Sequence, residues 1–127
     1  MNLADALENN ARRRSDHPAV IDGDRVLSHG AVFDLVVRWA SALADLGVSP
    51  GDIVGVNLRD RAEHLVAFYA VTRMEAVILP MDWRWTEQEK SRVAGFFGAK
   101  IVLSEAGDRF NQVAGAWRNV VVNADWD

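Results

Sequence analysis

Trp83, Arg84 and Trp85 stand side by side in the stretch Pro80-Met81-Asp82-Trp83-Arg84-Trp85-Thr86, the densest binding chemistry in the chain. A guanidinium stays charged at physiological pH and presents a fork of donors matched to phosphate, while an indole face accepts a planar base by stacking. The stretch follows Ala76–Leu79, an apolar run that reads as a buried parallel strand, and open α/β sheets place ligands beyond the carboxyl ends of such strands. One reading is therefore phosphate pairing by Arg84 with adenine stacking on Trp83 or Trp85. The other is structural, with Arg84 paired to a local carboxylate and the tryptophans packed. The residues alone leave both open.

Other reactive side chains are scattered. His17, His29 and His64 include no pair at i and i+4 that would grip a metal from one helix face, so no metal site is expected. His29 follows a helix cap and suits packing; His64 falls in a first helical turn and suits a solvated position. No serine–histidine–acid arrangement follows from the spacing, and no catalytic residue is assigned. The absence of cysteine excludes disulfides and thiol nucleophiles. Neither G-x-G-x-x-G nor G-x-x-x-x-G-K occurs. Gly47-Val48-Ser49-Pro50-Gly51-Asp52 lies after a helix and before a strand, the reverse of a dinucleotide loop, and reads as a turn.

These residues need elements to position them. Leu3, Ala6, Leu7 and Ala11 recur at helical spacing, with Asn2 as cap, and predict a helix over Leu3–Arg14. Its Arg12-Arg13-Arg14 end suits the negative pole of the helix dipole. Ala19–Leu27 reads as a hairpin turning at Asp22-Gly23. Ser28 caps a long helix with the stripe Val32, Leu35, Val36, Trp39, Leu43 and Leu46, and Gly47 provides a left-handed exit. Beyond it, the short apolar runs Ile53–Val56, Ala76–Leu79, Lys100–Leu103 and Val120–Val122 alternate with helical stretches at Ala62–Arg73, Thr86–Phe97 and Asp108–Trp117. The expected fold is α/β: an N-terminal helix and β-hairpin, then a mostly parallel βαβαβαβ sheet with helices on both faces. Gly55, inside a strand, marks close packing or a bulge.

Half of the 127 residues are hydrophobic and a quarter charged, ordinary usage for one globular domain. The net charge of −4 argues against a nucleic-acid platform. Asp5 and Glu8 interrupt any secretory signal, and Asp34, Arg38 and Asp45 prevent Ala31–Leu46 from spanning a bilayer. A cytoplasmic protein with no transmembrane segment is expected.

The ordered set Gly47-Val48-x-Pro50-Gly51-Asp52-x-Val54-x-Val56, a helix with Glu63, Ala67 and Ala70, Ala76-Val77-x-x-Pro80, the Trp83–Thr86 loop with Glu87 and Glu89, and Gly98-Ala99-Lys100-Ile101-Val102-Leu103 resembles the N-terminal region of the AMP-forming adenylating enzymes. That family includes acyl-CoA synthetases, peptide-synthetase adenylation domains and luciferases. The resemblance covers about Leu3 to Ser104. It implies that residues 1–127 are an incomplete N-terminal domain of an adenylate-forming ligase. The parent would use ATP, Mg²⁺ and CoA to turn a carboxylic acid of fatty-acid type into its CoA thioester. In some members an arginine at the place of Arg84 lies near the CoA nucleotide, which implies the same for Arg84.

The family's Ser/Thr/Gly-rich ATP loop, Tyr-Gly-x-Thr-Glu segment, ribose-binding Asp and C-terminal catalytic Lys do not occur here. The fragment alone is therefore expected to be inactive, to bind no cofactor by itself and to pack against the remainder of a parent ligase. The alternative is a stand-alone interaction or regulatory module derived from that fold. Asn123–Asp127 reads as lacking a closing element. Glu75 stands where the family has Gly, so that turn is expected to be built differently. Asp82 replaces the usual Asn. Val77, Ile78, Leu79, Ile101, Val102 and Leu103 are expected to lose cover in the fragment and to drive a homo-oligomer.

Overall fold

The computed structural model describes residues 2–122; the closing stretch Asn123–Asp127 lies outside them. Helix α1 spans Leu3–Arg13 and opens on a capping box between Asn2 and Asp5. Strands β1 (Pro18–Asp22) and β2 (Arg25–Ser28) form the hairpin. Its turn is Gly23-Asp24 and not Asp22-Gly23: Asp22 pairs with Arg25 in the ladder, and Gly23 takes φ +59°. The ladder extends one residue further than expected, with the Asp22 carboxylate bound both by Arg25 across the hairpin and by the Ala62 amide of α3 (Ala62–Arg73). Helix α2 (His29–Asp45) is capped by Ser28, which accepts from the Ala31 amide, and Gly47 makes its left-handed exit at φ +90°.

A parallel sheet completes the chain: β3 (Ile53–Asn57), β4 (Val77–Pro80), β5 (Ile101–Glu105) and β6 (Arg118–Val122), in the order β4-β3-β5-β6. Helix α3 carries the chain from β3 out to β4, and α4 (Glu87–Phe96) carries it back over β3 to β5. Crossovers of one hand running in opposite directions put their helices on opposite faces. The core divides accordingly. Val54, Val56, Ile101 and Leu103 face α1, α2 and α3, meeting Leu7, Trp39, Leu43, Val66 and Ala70. Val102, one residue out of phase, faces Met81, Ala94, Phe110 and Trp117.

Gly55 is a close-packing position. The ladders run through it without a bulge, and a Cβ there would sit 2.9 Å from Met81 Sδ and 3.0 Å from a Val102 methyl.

Three further expectations are corrected. Asp108–Trp117 is not a helix: a single 3-10 turn, Arg109–Gln112, ends at Val113 in extended backbone. Asp108 caps that turn by accepting from the Phe110 amide, Asn119 takes the Val113 carbonyl, and the Trp117 ring lies against Gly115. The Asp108 cap is compatible with a helix; the Asn119 bond takes the carbonyl that a continuing helix would use, and the ring packing holds the chain extended. Second, Ile101, Val102 and Leu103 are fully buried within this chain, since the helices on the two faces already cover β5. Of the expected uncovered residues only Val77, on the edge strand β4, is half exposed. Third, Glu75 does not rebuild its turn but takes the left-handed conformation at φ +57°, the single non-glycine to do so among the described residues.

Candidate functional site

The carboxyl ends of β3, β4 and β5 converge where the chain leaves β3 toward one face and β5 toward the other. In open α/β sheets this switch point is where ligands bind. A cleft of about 380 Å³ lies there, lined by Arg59 after β3, Trp83 and Trp85 after β4, Glu87 and Lys90 of α4, and Glu105 at the end of β5 with the following residues 106–109.

The loop after β4 leaves the sheet through buried Met81, whose amide donates to the Val56 carbonyl at 3.1 Å. Asp82 organises the rest of the loop. Its carboxylate accepts from the Arg84 amide at 2.9 Å, from Nε at 3.0 Å and from a terminal guanidinium nitrogen at 2.8 Å. The forked pair and the amide hold the Asp82 carboxyl at about 2 and raise the Arg84 guanidinium further. Thr86 then caps α4 and shares a capping box with Glu89.

Arg84 is thus clasped by the adjacent carboxylate. Its side chain is 72% exposed and lies outside the cleft lining. Trp83 and Trp85 do line it. Trp83 is exposed and receives a different cation than its neighbour: the Arg59 guanidinium carbon sits 5.9 Å from the ring centroid. Arg59 is held there by Glu105, which accepts from its amide at 3.3 Å and its Nε at 3.0 Å. Trp85 is half-buried against the smaller core.

Beneath this rim is a buried polar network. Asn57, Ser104 and Lys90 are all buried. Asn57 Nδ2 donates to Ser104 Oγ and to Asp108 Oδ2, both at 3.0 Å, tying the ends of β3 and β5 together. Lys90 Nζ reaches Asp108 Oδ2 at 3.2 Å. Asn57 Oδ1 is buried with no partner among the described residues.

The Gly47–Asp52 turn lies at the opposite, amino end of the sheet. There Lys100 Nζ donates to the Gly47 carbonyl at 2.6 Å and to Asp52 at 3.0 Å. His64 Nδ1 sits 3.0 Å from the Leu58 carbonyl, and no group of three or more His, Cys, Asp or Glu could hold a metal ion among the described residues.

A model of the AMP-binding enzyme family matches residues 7–125. The chain belongs to that family. Phosphinothricin tripeptide synthetase PhsC of Streptomyces viridochromogenes is 36% identical over 103 residues, 81% of this chain and 10% of that protein. Oxalate–CoA ligase of Arabidopsis thaliana is 35% identical over 104 residues, 80% of this chain and 20% of the ligase. Among solved structures, the nonribosomal peptide synthetase FmoA3 in its AMPPNP-bound form matches with TM-score 0.89 at 25% identity, over 99% of this chain and 14% of that one. The NpsA N-terminal subdomain of Klebsiella oxytoca shares the fold, with TM-score 0.86 at 21% identity over 94% of this chain and 31% of that one. The chain spans a fifth or less of the length of these two curated relatives. It corresponds to the N-terminal part of an adenylate-forming enzyme.

In this AMP-binding family member, the cleft residues Arg59, Lys90, Glu105 and Asp108 escaped the sequence reading. One signal was present: Lys90 lies four residues before buried Ala94, on the stripe of α4 where an apolar residue belongs. No helix among the described residues is long and apolar enough to cross a membrane.

Proposed function

We propose that the chain is the front part of an AMP-forming carboxylic acid–CoA ligase of fatty-acid type. The whole enzyme transfers AMP from ATP to the acid with release of pyrophosphate, then passes the acyl group to the CoA thiol with release of AMP. ATP, Mg²⁺ and CoA are its small-molecule requirements, and the remainder of the ligase is this chain's principal partner. The ligand set of Mg²⁺ is not assigned to these residues.

The observation that carries this reading is the cleft at the switch point, where exposed Trp83 and half-buried Trp85 stand among three cations balanced by three carboxylates, with the Arg59 guanidinium over the Trp83 ring. CoA brings a nucleotide remote from its thiol, and such a group calls for stacking faces and phosphate partners. A thiol presented on a carrier protein brings no nucleotide. Trp83 and Trp85 supply the stacking, and Arg84, released from Asp82, supplies a phosphate contact at the rim. The identity to oxalate–CoA ligase supports the CoA-ligase part of this reading.

The identity to the tripeptide synthetase favours a second one, amino-acid adenylation for peptide assembly. Product analysis separates the two. Incubation of the full-length protein with ATP and panels of carboxylic and amino acids should give CoA-dependent acyl-CoA from a carboxylic acid. Amino-acid-dependent pyrophosphate exchange, indifferent to CoA, would replace the first reading with the second.

A further inference from the structure

The cleft floor holds an ion pair that stability does not explain. The Lys90 side chain is 4% exposed and that of Asp108 19%, with Nζ 3.2 and 3.5 Å from the two carboxylate oxygens. Desolvating two charges offsets most of their attraction, so a well-packed apolar residue at position 90 would serve the fold as well or better. The phase of α4, with Ala94 buried one turn on, would accept it.

Asp108 itself has a local reason to be present. It caps the 3-10 turn through the Phe110 amide at 2.9 Å and receives Asn57 at 3.0 Å, so its carboxylate cannot swing out of the floor. That leaves a fixed anion in the cleft. Around it, Arg59, Lys90 and Arg109 oppose Glu87, Glu105 and Asp108, and the formal charges cancel. Arg59 is already committed to Glu105. Without Lys90 the cleft would be net negative in a partly dehydrated place, where like charges repel most strongly.

We propose that Lys90 sets the ligand class of this cleft: by neutralising the immobile Asp108 carboxylate, it admits a phosphorylated nucleoside that Asp108 alone would repel. This rests on the reading of the cleft as a nucleotide site. Lys90 acts through Asp108 and is a positioning and charge-setting residue, not a catalytic one.

The test uses adenosine 3′,5′-bisphosphate as probe and uncharged adenosine as control, titrated calorimetrically into the full-length protein. Lys90→Met exposes the anion and should weaken bisphosphate binding about tenfold, the scale of one unit charge acting across several ångströms of partly solvated protein. Asp108→Asn leaves Lys90 unopposed and should strengthen binding by a similar factor. The new side chain keeps an oxygen for the Phe110 amide, so the cap of the 3-10 turn is retained. The double variant restores neutrality and should bind close to wild type, and all three should bind adenosine equally. If Lys90→Met does not fold, Asp108→Asn and the double variant keep the sign of the effect measurable. Changes of the same sign in both single variants, or equal loss of adenosine binding, would reduce the pair to a structural element and overturn the proposal. Failure of the wild-type protein to bind the bisphosphate at all would instead overturn the nucleotide reading, and this inference with it.

Discussion

The backbone amide of Gly51 donates to the carbonyl of Glu75 at 2.9 Å, and both residues hold left-handed backbone, at φ +85° and +57°. Beside it the Val77 amide donates to the Asp52 carbonyl at 2.7 Å, so the two turns enter β3 and β4 as one unit. Glycine adopts this conformation without penalty; a residue with a Cβ bears roughly 1–2 kcal/mol.

Replacing Glu75 by Gly should therefore stabilise the chain by about 1 kcal/mol, somewhat less than the full penalty because glycine also loosens the unfolded state. Urea denaturation of Glu75→Gly should show a higher midpoint at unchanged slope. An unchanged or lower midpoint would mean that the Glu75 side chain compensates its own strain.

Acid should undo the docking of the hairpin. Arg61, at the N-cap of α3, makes no side-chain capping bond; the cap comes from the hairpin, where Asp22 accepts from the Ala62 amide at 3.1 Å. Arg25 binds Asp22 at 2.8 Å and Glu63 at 2.9 Å, joining the hairpin to α3. The Ala62 amide first, then Arg25, holds the Asp22 carboxyl below its ordinary 3.8, and Arg25 holds Glu63 below 4.5. A carboxyl depressed in the folded state stabilises fully above its unfolded value and loses that contribution as pH falls through the folded one. The docking is thus intact at neutral pH and fades below those ordinary values, weakly at high salt because the groups are partly exposed. Thermal melts across acidic pH should fall less steeply for Asp22→Ala than for wild type. Parallel curves would remove Asp22 from the account.

In the full-length protein, Trp83→Ala should weaken CoA binding by roughly 1–3 kcal/mol, the scale of one base stacked on an aromatic ring. Arg84→Ala should weaken it by about tenfold if a CoA phosphate takes the guanidinium from Asp82. ATP affinity should hardly change in either variant. Wild-type CoA affinity in both would separate the tryptophan loop from CoA.

The isolated 127-residue chain should self-associate, although not through the β5 residues expected from sequence. Val77 on the edge strand β4 is 50% exposed, and Phe96 and Phe97 stand together at the end of α4 at 81% and 51%. Edges and patches of this kind recruit further chain or a second copy. Sedimentation at micromolar concentration should detect dimers that Val77→Lys reduces. A stable monomer in both would show that the edge is blunted well enough as it stands.

Neighbouring residues decided among themselves the features that were legible in the sequence. The stripe of α2, its Ser28 cap, its Gly47 exit and the alternation of short apolar runs with helices depend on spacings of a few residues. Helix α4 and its Thr86 boundary were legible for the same reason. The Trp83–Trp85 loop could be placed beyond a strand, but whether Arg84 met a phosphate or a carboxylate could not, since Asp82 offers one clasp and any ligand another. The expected helix at Asp108–Trp117 failed beyond its first turn, where Asn119 takes the Val113 carbonyl and the Trp117 ring packs against Gly115. The cleft contacts Lys90–Asp108, Arg59–Glu105 and Asn57–Asp108 join residues 18, 46 and 51 positions apart. Only the strand order β4-β3-β5-β6 brings these partners to one sheet end. A cleft built from three strand ends is a property of that order, and the order arises from packing two helical layers on opposite faces, which no local spacing records.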